Sequence, residues 1–480
     1  MIILNQKIMH DNKFFNKSIY ILYSLIFLFP LALISGPFFT DLFVSLIGLF
    51  FLFFLFKNKL WHYINNIYIK FFFIWYVYLV TNSLFSENVF LSLESSLFYF
   101  RFIFFSLGIW YAIDTNEKII KIFSISLSCV FVFIIIDSFF QYFTSSNFFG
   151  FTYNNIRLSG IFNEERILGS VISRLMPILF AVVIFSFPKN KLSIWFLILT
   201  LILTDILIYL SGERSAFFYL LMSIFLMLIL INKYKYIRFF SFIISIIIII
   251  FISFSHKDIK YRMLDHTLNQ INIFQNIDTD KSTDKSTDKS TYNLNNNNND
   301  TNNNEECDVY DTEGLCICNR GVCSYDNKMR IFSIQHQVLY ISALRMFKDN
   351  IVFGIGPKMF REFCKKSEYF IIPKEDVSSN SCRTSPHNTY IQLLSETGLL
   401  GTIPIISLFF MIIYIFIKRF ISLYFTKKQY LNDFIIFLFI ALFISLWPII
   451  PTGNFFNNYT SAIYYLPIGF IFFAINKRYK

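Results

Sequence analysis

The chain has 480 residues, of which 55% are hydrophobic and 20% aromatic, including 65 Phe, and only 15% are charged. A soluble chain of this size carries about 25% charged residues, so this composition excludes a water-surrounded globule and makes lipid the solvent for most of the surface. The formal net charge of +11 would suit nucleic acid, but the placement of the charges argues for membrane orientation instead.

Apolar runs of about 17–25 residues, enough to cross a bilayer, fall at 18–36, 38–56, 67–85, 97–113, 119–143, 167–187, 192–210, 214–231, 237–255, 397–417, 432–450 and 459–475. The predicted fold is therefore an all-α polytopic membrane protein of about twelve transmembrane helices, with one large periplasmic loop between helices 9 and 10. Tight turns, Ser35-Gly36-Pro37 and Ser211-Gly212-Glu213-Arg214, separate two of the pairs. Residues 1–255 form a nine-helix region with short loops, 256–396 an outer loop domain, and 397–480 a three-helix C-terminal region. The first apolar run follows about sixteen polar-rich residues with no small-residue cleavage site after it, so no cleavable signal peptide is expected.

With the N-terminus placed in the cytoplasm, the loops on that side hold Lys57, Lys59, Lys118, Lys121, Lys189, Lys191, Lys233, Lys235, Arg238, Lys418, Arg419, Lys427 and Lys428. Lys477, Arg478 and Lys480 follow at the other terminus. The short loops on the opposite side contain no lysine. This is a positive-inside pattern, and it predicts a multi-pass protein with an even number of spans and both termini cytoplasmic. The outer cations are Arg157, Arg166 and Arg214, with Arg101 and Arg174 just inside neighbouring helices. Arginine offers a planar fork of donors that grips phosphate oxygens in pairs, and a charge near the bilayer interior costs a few kcal/mol unless it is paired or used. Snorkelling, or local pairs such as Arg166 with Glu164 and Glu165 or Arg214 with Glu213, is the alternative.

Asp137 and Gln141 lie four residues apart near the outer end of their helix, and Asp205 lies about two turns below the Ser211 turn. These groups are expected to meet the outer arginines or to line a polar cavity; a proton path in a transporter competes. In the outer segment, a tetrad beginning Asp280-Lys281-Ser282-Thr283 repeats, and an asparagine run follows, so about 278–306 reads as a disordered insertion. Six cysteines follow, Cys307, Cys316, Cys318, Cys323, Cys364 and Cys382. In an oxidising compartment they imply disulfides, with fifteen possible pairings; Cys316-Ile317-Cys318 is too tight for the usual zinc spacing. Residues 328–350 have helical periodicity and are expected to lie along the membrane surface. Phe353-Gly354-Ile355-Gly356-Pro357 is a turn whose glycines hint at phosphate binding.

The stretch Ser385 to Gly401 joins this polar segment to an apolar run. Pro386 suits the first turn of a helix. Asn388, Gln392 and Glu396 then form one polar stripe, with His387 at the helix mouth as a candidate proton acceptor. The alternative is a helix cap that happens to contain histidine. There is no nucleotide motif, and no acidic pair or triad is clustered to hold a divalent metal, so no cofactor and no metal are expected. Outer arginines, a histidine and many spans together suit transfer from a membrane-embedded diphosphate donor.

These motifs resemble the O-antigen ligase and polymerase superfamily. Pro386-His387-Asn388-Thr389-Tyr390-Ile391-Gln392 through Glu396 and Gly398-Leu399-Leu400-Gly401 is similar to its "HNxYLxxxxExGxxG" signature. Arg157-Leu158-Ser159-Gly160-Ile161-Phe162-Asn163 is similar to "RxxGxFxNxN", and Gly212-Glu213-Arg214-Ser215-Ala216 to "SxSRxA". Gly354 and Gly356 match the glycines before the family's soluble helix. The resemblance covers about residues 140–420. It implies a metal-independent, inverting glycosyltransferase whose donor is an undecaprenyl-diphosphate-linked glycan. In it His387 is the base and Arg157 and Arg214 bind the diphosphate. Arg166 and Arg174 are further diphosphate candidates read from their position, and Asn388, Gln392 and Glu396 support the histidine. Glu164-Glu165-Arg166 departs from the small polar residues that usually follow Asn163, and the Asn-rich insertion has no counterpart. The acceptor is lipid A–core sugar for a ligase, the expected reading because of the single large loop before the histidine helix, or a growing lipid-linked chain for a polymerase. A third kind of relative glycosylates secreted proteins. A lipid-linked glycan transporter is the rival of a different class, and it would need more charge at mid-membrane than Asp137 and Asp205.

Overall fold

The computed structural model describes residues 13–153, 157–188, 190–265, 333–372, 380–426 and 430–479. The described residues are helical apart from turns, loops and one isolated bridge between Ser146 and Thr152. In chain order the main helices are α1 (Lys13–Ile34), α2 (Pro37–Lys57), α3 (Ile67–Leu84), α4 (Val89–Ser96), α5 (Phe100–Thr115), α6 (Lys118–Thr144) and α7 (Leu168–Ser186). They continue with α8 (Lys191–Leu210), α9 (Arg214–Leu230), α10 (Lys235–Ser255), α11 (Ile334–Asp349), α12 (Thr389–Ile421), α13 (Asp433–Ser445) and α14 (Asn458–Tyr479). Ten segments of the described chain are long and apolar enough to cross a membrane; this is a polytopic membrane protein. The disordered insertion expected at 278–306, Cys307, Cys316, Cys318, Cys323 and the start of the 328–350 helix lie outside the described residues.

Two of the twelve expected spans are shorter than that test requires. α9 has 17 residues. α13 has 13, rising only about 20 Å against a hydrocarbon core of about 30 Å. The apolar run expected to continue to 450 stops at Ser445, because Pro448 disfavours helix in the residue before it. Every residue of α13 after Asp433 is buried by its neighbours, and that is the setting in which non-helical backbone such as 446–457 is tolerated at membrane depth. α5, α7 and α13 are the most enclosed helices, and the outer faces of α2, α3 and α10 present large apolar side chains to the surroundings.

The run expected at 97–113 falls on α5, and the short helix α4 precedes it. α12 begins at Thr389, not Pro386, because Asn388 is its N-cap: Asn388 Oδ1 accepts from the Tyr390 and Ile391 amides at 3.0 and 3.1 Å. α12 is broken at Gly398 (φ 60°, ψ −166°). The break lets the 351–356 loop pair with it as backbone. Ile355 N donates to Ser395 O at 2.9 Å, Gly356 N to Glu396 O at 2.8 Å, and Leu399 N to Ile351 O at 2.9 Å. A Cβ on Gly398 would lie 2.3 Å from Val352 O, and one on Gly354 (φ 71°) would lie 2.5 Å from Gly398 N. Gly354 and Gly398 therefore serve the close backbone approach of this loop to α12.

The loops meet in two groups. At one end, Lys366 pairs with Glu87 at 2.6 Å, Lys358 with Glu94 at 2.6 Å, and Thr452 N donates to His387 O at 2.8 Å. At the other, Lys477 pairs with Glu117 at 2.7 Å, and Asp433 accepts from the Asn232 and Lys233 amides and pairs with Arg419. Two cations expected to mark orientation are instead buried partners. Arg419 donates to Leu230 O and joins Asp433. Arg238 grips both oxygens of Asp205 at 2.8 Å, with Ser245 Oγ donating to the same carboxylate. Asp205 thus meets α10, not the outer arginines.

Candidate functional site

The turn between α8 and α9 carries Glu213 and Arg214. Glu213 is buried and points its carboxylate at the start of α7, where unpaired amides await an acceptor. Oε1 accepts from Gly169 N at 2.7 Å, and Oε2 from Ser170 N at 3.1 Å and Ser170 Oγ at 2.7 Å. Gly169 is required by that approach, since a Cβ there would lie 2.5 Å from Ser211 Oγ. Burial raises the Glu213 carboxyl, against these hydrogen bonds and the Arg157 charge, which lower it.

Arg157 reaches this turn on the 145–167 loop. Asp137 and Gln141 hold that loop. Asp137 accepts from Asn147 Nδ2 and Phe148 N, and Gln141 Oε1 accepts from Gly160 N at 2.7 Å. Gly160 (φ 54°) lies so near Ser138 that a Cβ would sit 2.6 Å from its Oγ. Leu158 N then donates to Leu210 O at 3.3 Å. Asp137 and Gln141 therefore position the arginine loop and do not touch the arginines through their side-chain oxygens. Arg166 closes the same loop with left-handed backbone (φ 48°), close to Asn163 (φ 47°). Strain of this kind on non-glycine residues concentrates at functional sites.

Three of the five outer arginines come together here, and a fourth that sequence reasoning missed joins them. Arg262, in the turn after α10, donates Nε–H to Gly212 O at 2.9 Å. Burial first, then the charges of Arg157, Arg214 and Arg166, push its guanidinium down to about 10. Arg157 is lowered likewise by burial and by Arg166 and Arg214, while Glu213 opposes. The charges of Arg157, Arg166, Arg214 and Arg262 act on one another, and Glu213, already engaged by α7, offsets those on Arg157 and Arg262. Like charges so gathered repel, and a ligand with two or more anionic oxygens relieves them.

The other two expected arginines lie elsewhere. Arg101 pairs with Asp41 at 2.7 Å on α2. Arg174 is buried in α7, donates to Ser170 O at 3.1 Å and stacks its guanidinium 4.8 Å from the Tyr219 ring. The bilayer-facing arginine stripe thereby divides into a cluster and two separate pairs.

His387, half-buried, has left-handed backbone (φ 56°) and is fixed from behind by Thr452 N, while Thr389 Oγ1 and Thr452 Oγ1 lie 3.0 Å apart. Burial lowers its pKa from 6.5, as does the Arg383 charge, against a hydrogen bond with the Thr452 backbone, which raises it. The polar stripe beyond it is structural in its contacts. Asn388 caps α12 and donates to Pro448 O at 2.7 Å. Gln392 joins Glu396 and Asn454 at 2.9 Å each and accepts from Phe455 N. Glu396 accepts from Phe360 N at 3.2 Å. A disulfide, Cys364–Cys382, ties the preceding loop.

A second unexpected residue stands by His387. His336, on α11, has its ring centroid 6.0 Å from that of His387 and its Nδ1 2.6 Å from Ser333 Oγ. Burial, the His387 charge and the Arg214 charge push it down to about 4. It therefore links His387 to the arginine cluster. Among the described residues no group of three or more His, Cys, Asp or Glu is placed to hold a metal ion.

No curated protein matches the chain. Residues 196–406 match the family model described as O-antigen ligase, a stretch that takes in Arg214, Arg262, His336 and His387 and leaves Arg157, Arg166 and Arg174 before it. On that match, and on the motifs that run through it, residues 196–406 are similar to the O-antigen ligase family.

Proposed function

We propose that the chain is an inverting glycosyltransferase of the bacterial inner membrane, working at the periplasmic face. It moves a glycan from an undecaprenyl-diphosphate donor to a hydroxyl of lipid A–core, as an O-antigen ligase. The observation that carries this reading is the convergence of Arg157, Arg166, Arg214 and Arg262 on one turn, with His336 beside His387 and acted on by the Arg214 charge. The arginines hold the diphosphate and stabilise its charge as it leaves. His387, kept neutral by burial, takes the proton from the acceptor hydroxyl. The hydroxyl oxygen attacks the anomeric carbon from the face opposite the diphosphate, and the carbon–oxygen bond to phosphate breaks with its electron pair. Four fixed cations take the place of a divalent metal. Arg174 contributes from below by holding Ser170, the residue that Glu213 engages. The Cys364–Cys382 disulfide supports an oxidising compartment on the His387 side, and the lysines of the opposite loops support a cytoplasmic location there.

The test is reconstitution in proteoliposomes with a lipid-linked glycan donor and, in separate reactions, lipid A–core or a second lipid-linked glycan as acceptor. Transfer to lipid A–core alone supports the ligase; chain extension alone makes the protein a polymerase. His387→Ala is expected to abolish transfer at unchanged protein level, and Arg214→Lys or Arg262→Lys to cripple it, since a point charge does not replace the fork. Inhibition by a chelator would sink the metal-free mechanism.

A further inference from the structure

The proposed transfer leaves His336 without a role, although its ring meets that of the base and the Arg214 charge acts on it. α11 packs on α12, and this places the His336 ring 6.0 Å from His387 and 6.2 Å from Tyr340. Nδ1 is engaged with Ser333 Oγ at 2.6 Å. The only ring nitrogen left to face the site is Nε2. A serine hydroxyl that donates to Nδ1 selects the tautomer with hydrogen on Nε2.

In an inverting displacement, the base and the leaving group lie on opposite faces of the reacting carbon. A side chain that meets His387 and feels the Arg214 charge is therefore placed to reach the bond that breaks. We propose that His336 is a second catalytic imidazole, which donates a hydrogen bond from Nε2 to the phosphate oxygen that leaves the sugar. This rests on the proposed function. His387 receives the acceptor's proton, the new bond forms between the acceptor oxygen and the anomeric carbon, and the old bond's electrons pass to the phosphate oxygen. His336 transfers no proton; it stabilises the oxygen's new charge, as preorganised donors do at other developing oxyanions. A neutral imidazole suits this role, because a further cation near Arg214 would raise the repulsion within the cluster when no donor is bound.

The experiment measures transfer from a polyprenyl-diphosphate-linked glycan in proteoliposomes, with farnesyl diphosphate as the binding probe. His336→Ala is expected to lower kcat by about 10²–10³, the cost of one oxyanion donor, while donor KM and farnesyl diphosphate affinity stay near the wild-type values. His336→Gln, whose amide places an N–H where Nε2 stood, restores most of kcat, and Ser333→Ala lowers kcat without weakening binding. An unchanged kcat in His336→Ala overturns the proposal, as does a rise in KM alone. So does a Gln variant as slow as Ala with an unaltered thermal unfolding midpoint. If His336→Ala does not fold, the Gln and Ser333 variants decide. His387→Ala and Arg214→Lys run alongside: if both transfer normally, the proposed function itself fails. If both are inactive while His336→Ala is normal, only the role of His336 fails.

Discussion

Removing the Glu213 carboxylate tests how the arginine cluster is built. In Glu213→Ala, the Gly169 and Ser170 amides and the Ser170 hydroxyl lose acceptors at 2.7, 3.1 and 2.7 Å, and Arg157 loses the one nearby anion that opposes its neighbours. Hydrogen bonds to charged groups are worth about 1.5–3 kcal/mol each, but water will reach the half-buried Ser170 side. The net loss is about 3–5 kcal/mol, the scale of a broken buried ion pair. Glu213→Gln keeps one acceptor oxygen and is expected to lose about half of that. For a chain of 480 residues the Ala variant should melt lower by about 3–5 °C, with Gln between it and wild type. The assay is thermal unfolding in detergent micelles, followed by tryptophan fluorescence at fixed protein concentration. An Ala variant that melts with wild type, or a Gln variant below Ala, would refute the capping role and with it the argument for why the cluster tolerates four cations.

Four further outcomes follow from the same geometry. Gly398→Ala forces a Cβ against Val352 and a side chain into φ 60°, ψ −166°; strain of about 1–3 kcal/mol plus lost loop pairing should cost about 3 kcal/mol in thermal unfolding, and wild-type stability would contradict the packing. Reduction of Cys364–Cys382, which closes 18 residues, should cost about 3 kcal/mol, read as a lower melting point in reductant that Cys364→Ser reproduces without it. Asp205→Asn leaves Arg238 buried with half a partner and should cost about 3–5 kcal/mol, whereas the double change Asp205→Leu with Arg238→Met should be near neutral. A fully stable Asp205→Asn protein without transfer activity would instead revive a proton path. For pH, burial holds His387 below its ordinary 6.5, so the base is neutral above that pH. kcat/KM should be flat from pH 6.5 upward and fall only as pH drops through the lowered value; an acid limb centred above 6.5 would exclude His387 as the base.

The spans were legible because hydropathy over 20 residues is a strong signal. It errs where one residue overrides it, as Pro448 does in ending α13 and Gly398 does in breaking α12. The arginines of the short loops were legible by contrast with lysine-free surroundings. Arg262 was not, because it follows an apolar run and opens a long polar segment in which a single cation stands out from nothing. His336 was hidden for the opposite reason, inside an amphipathic period that is satisfied by its neighbours Val338 and Leu339. Asp137 and Gln141 were read as reaching for arginine. They act one step back, through Asn147 and Gly160, and such indirect positioning leaves no spacing rule in a sequence. The polar stripe Asn388, Gln392 and Glu396 was legible as a stripe; that its partners are Pro448, Asn454 and Phe360 depends on chain segments 36 to 62 residues away.

The clasp between Asp205 and Arg238 also bears on how the chain enters the bilayer. The two charges sit 33 positions apart, on α8 and α10, so α8 delivered alone would carry a naked carboxylate into hydrocarbon, at a cost of a few kcal/mol. That penalty disappears once α10 has followed. The hairpin of α8 and α9 therefore gains by waiting at the insertion machinery until α10 emerges, and the three helices partition into lipid as one package.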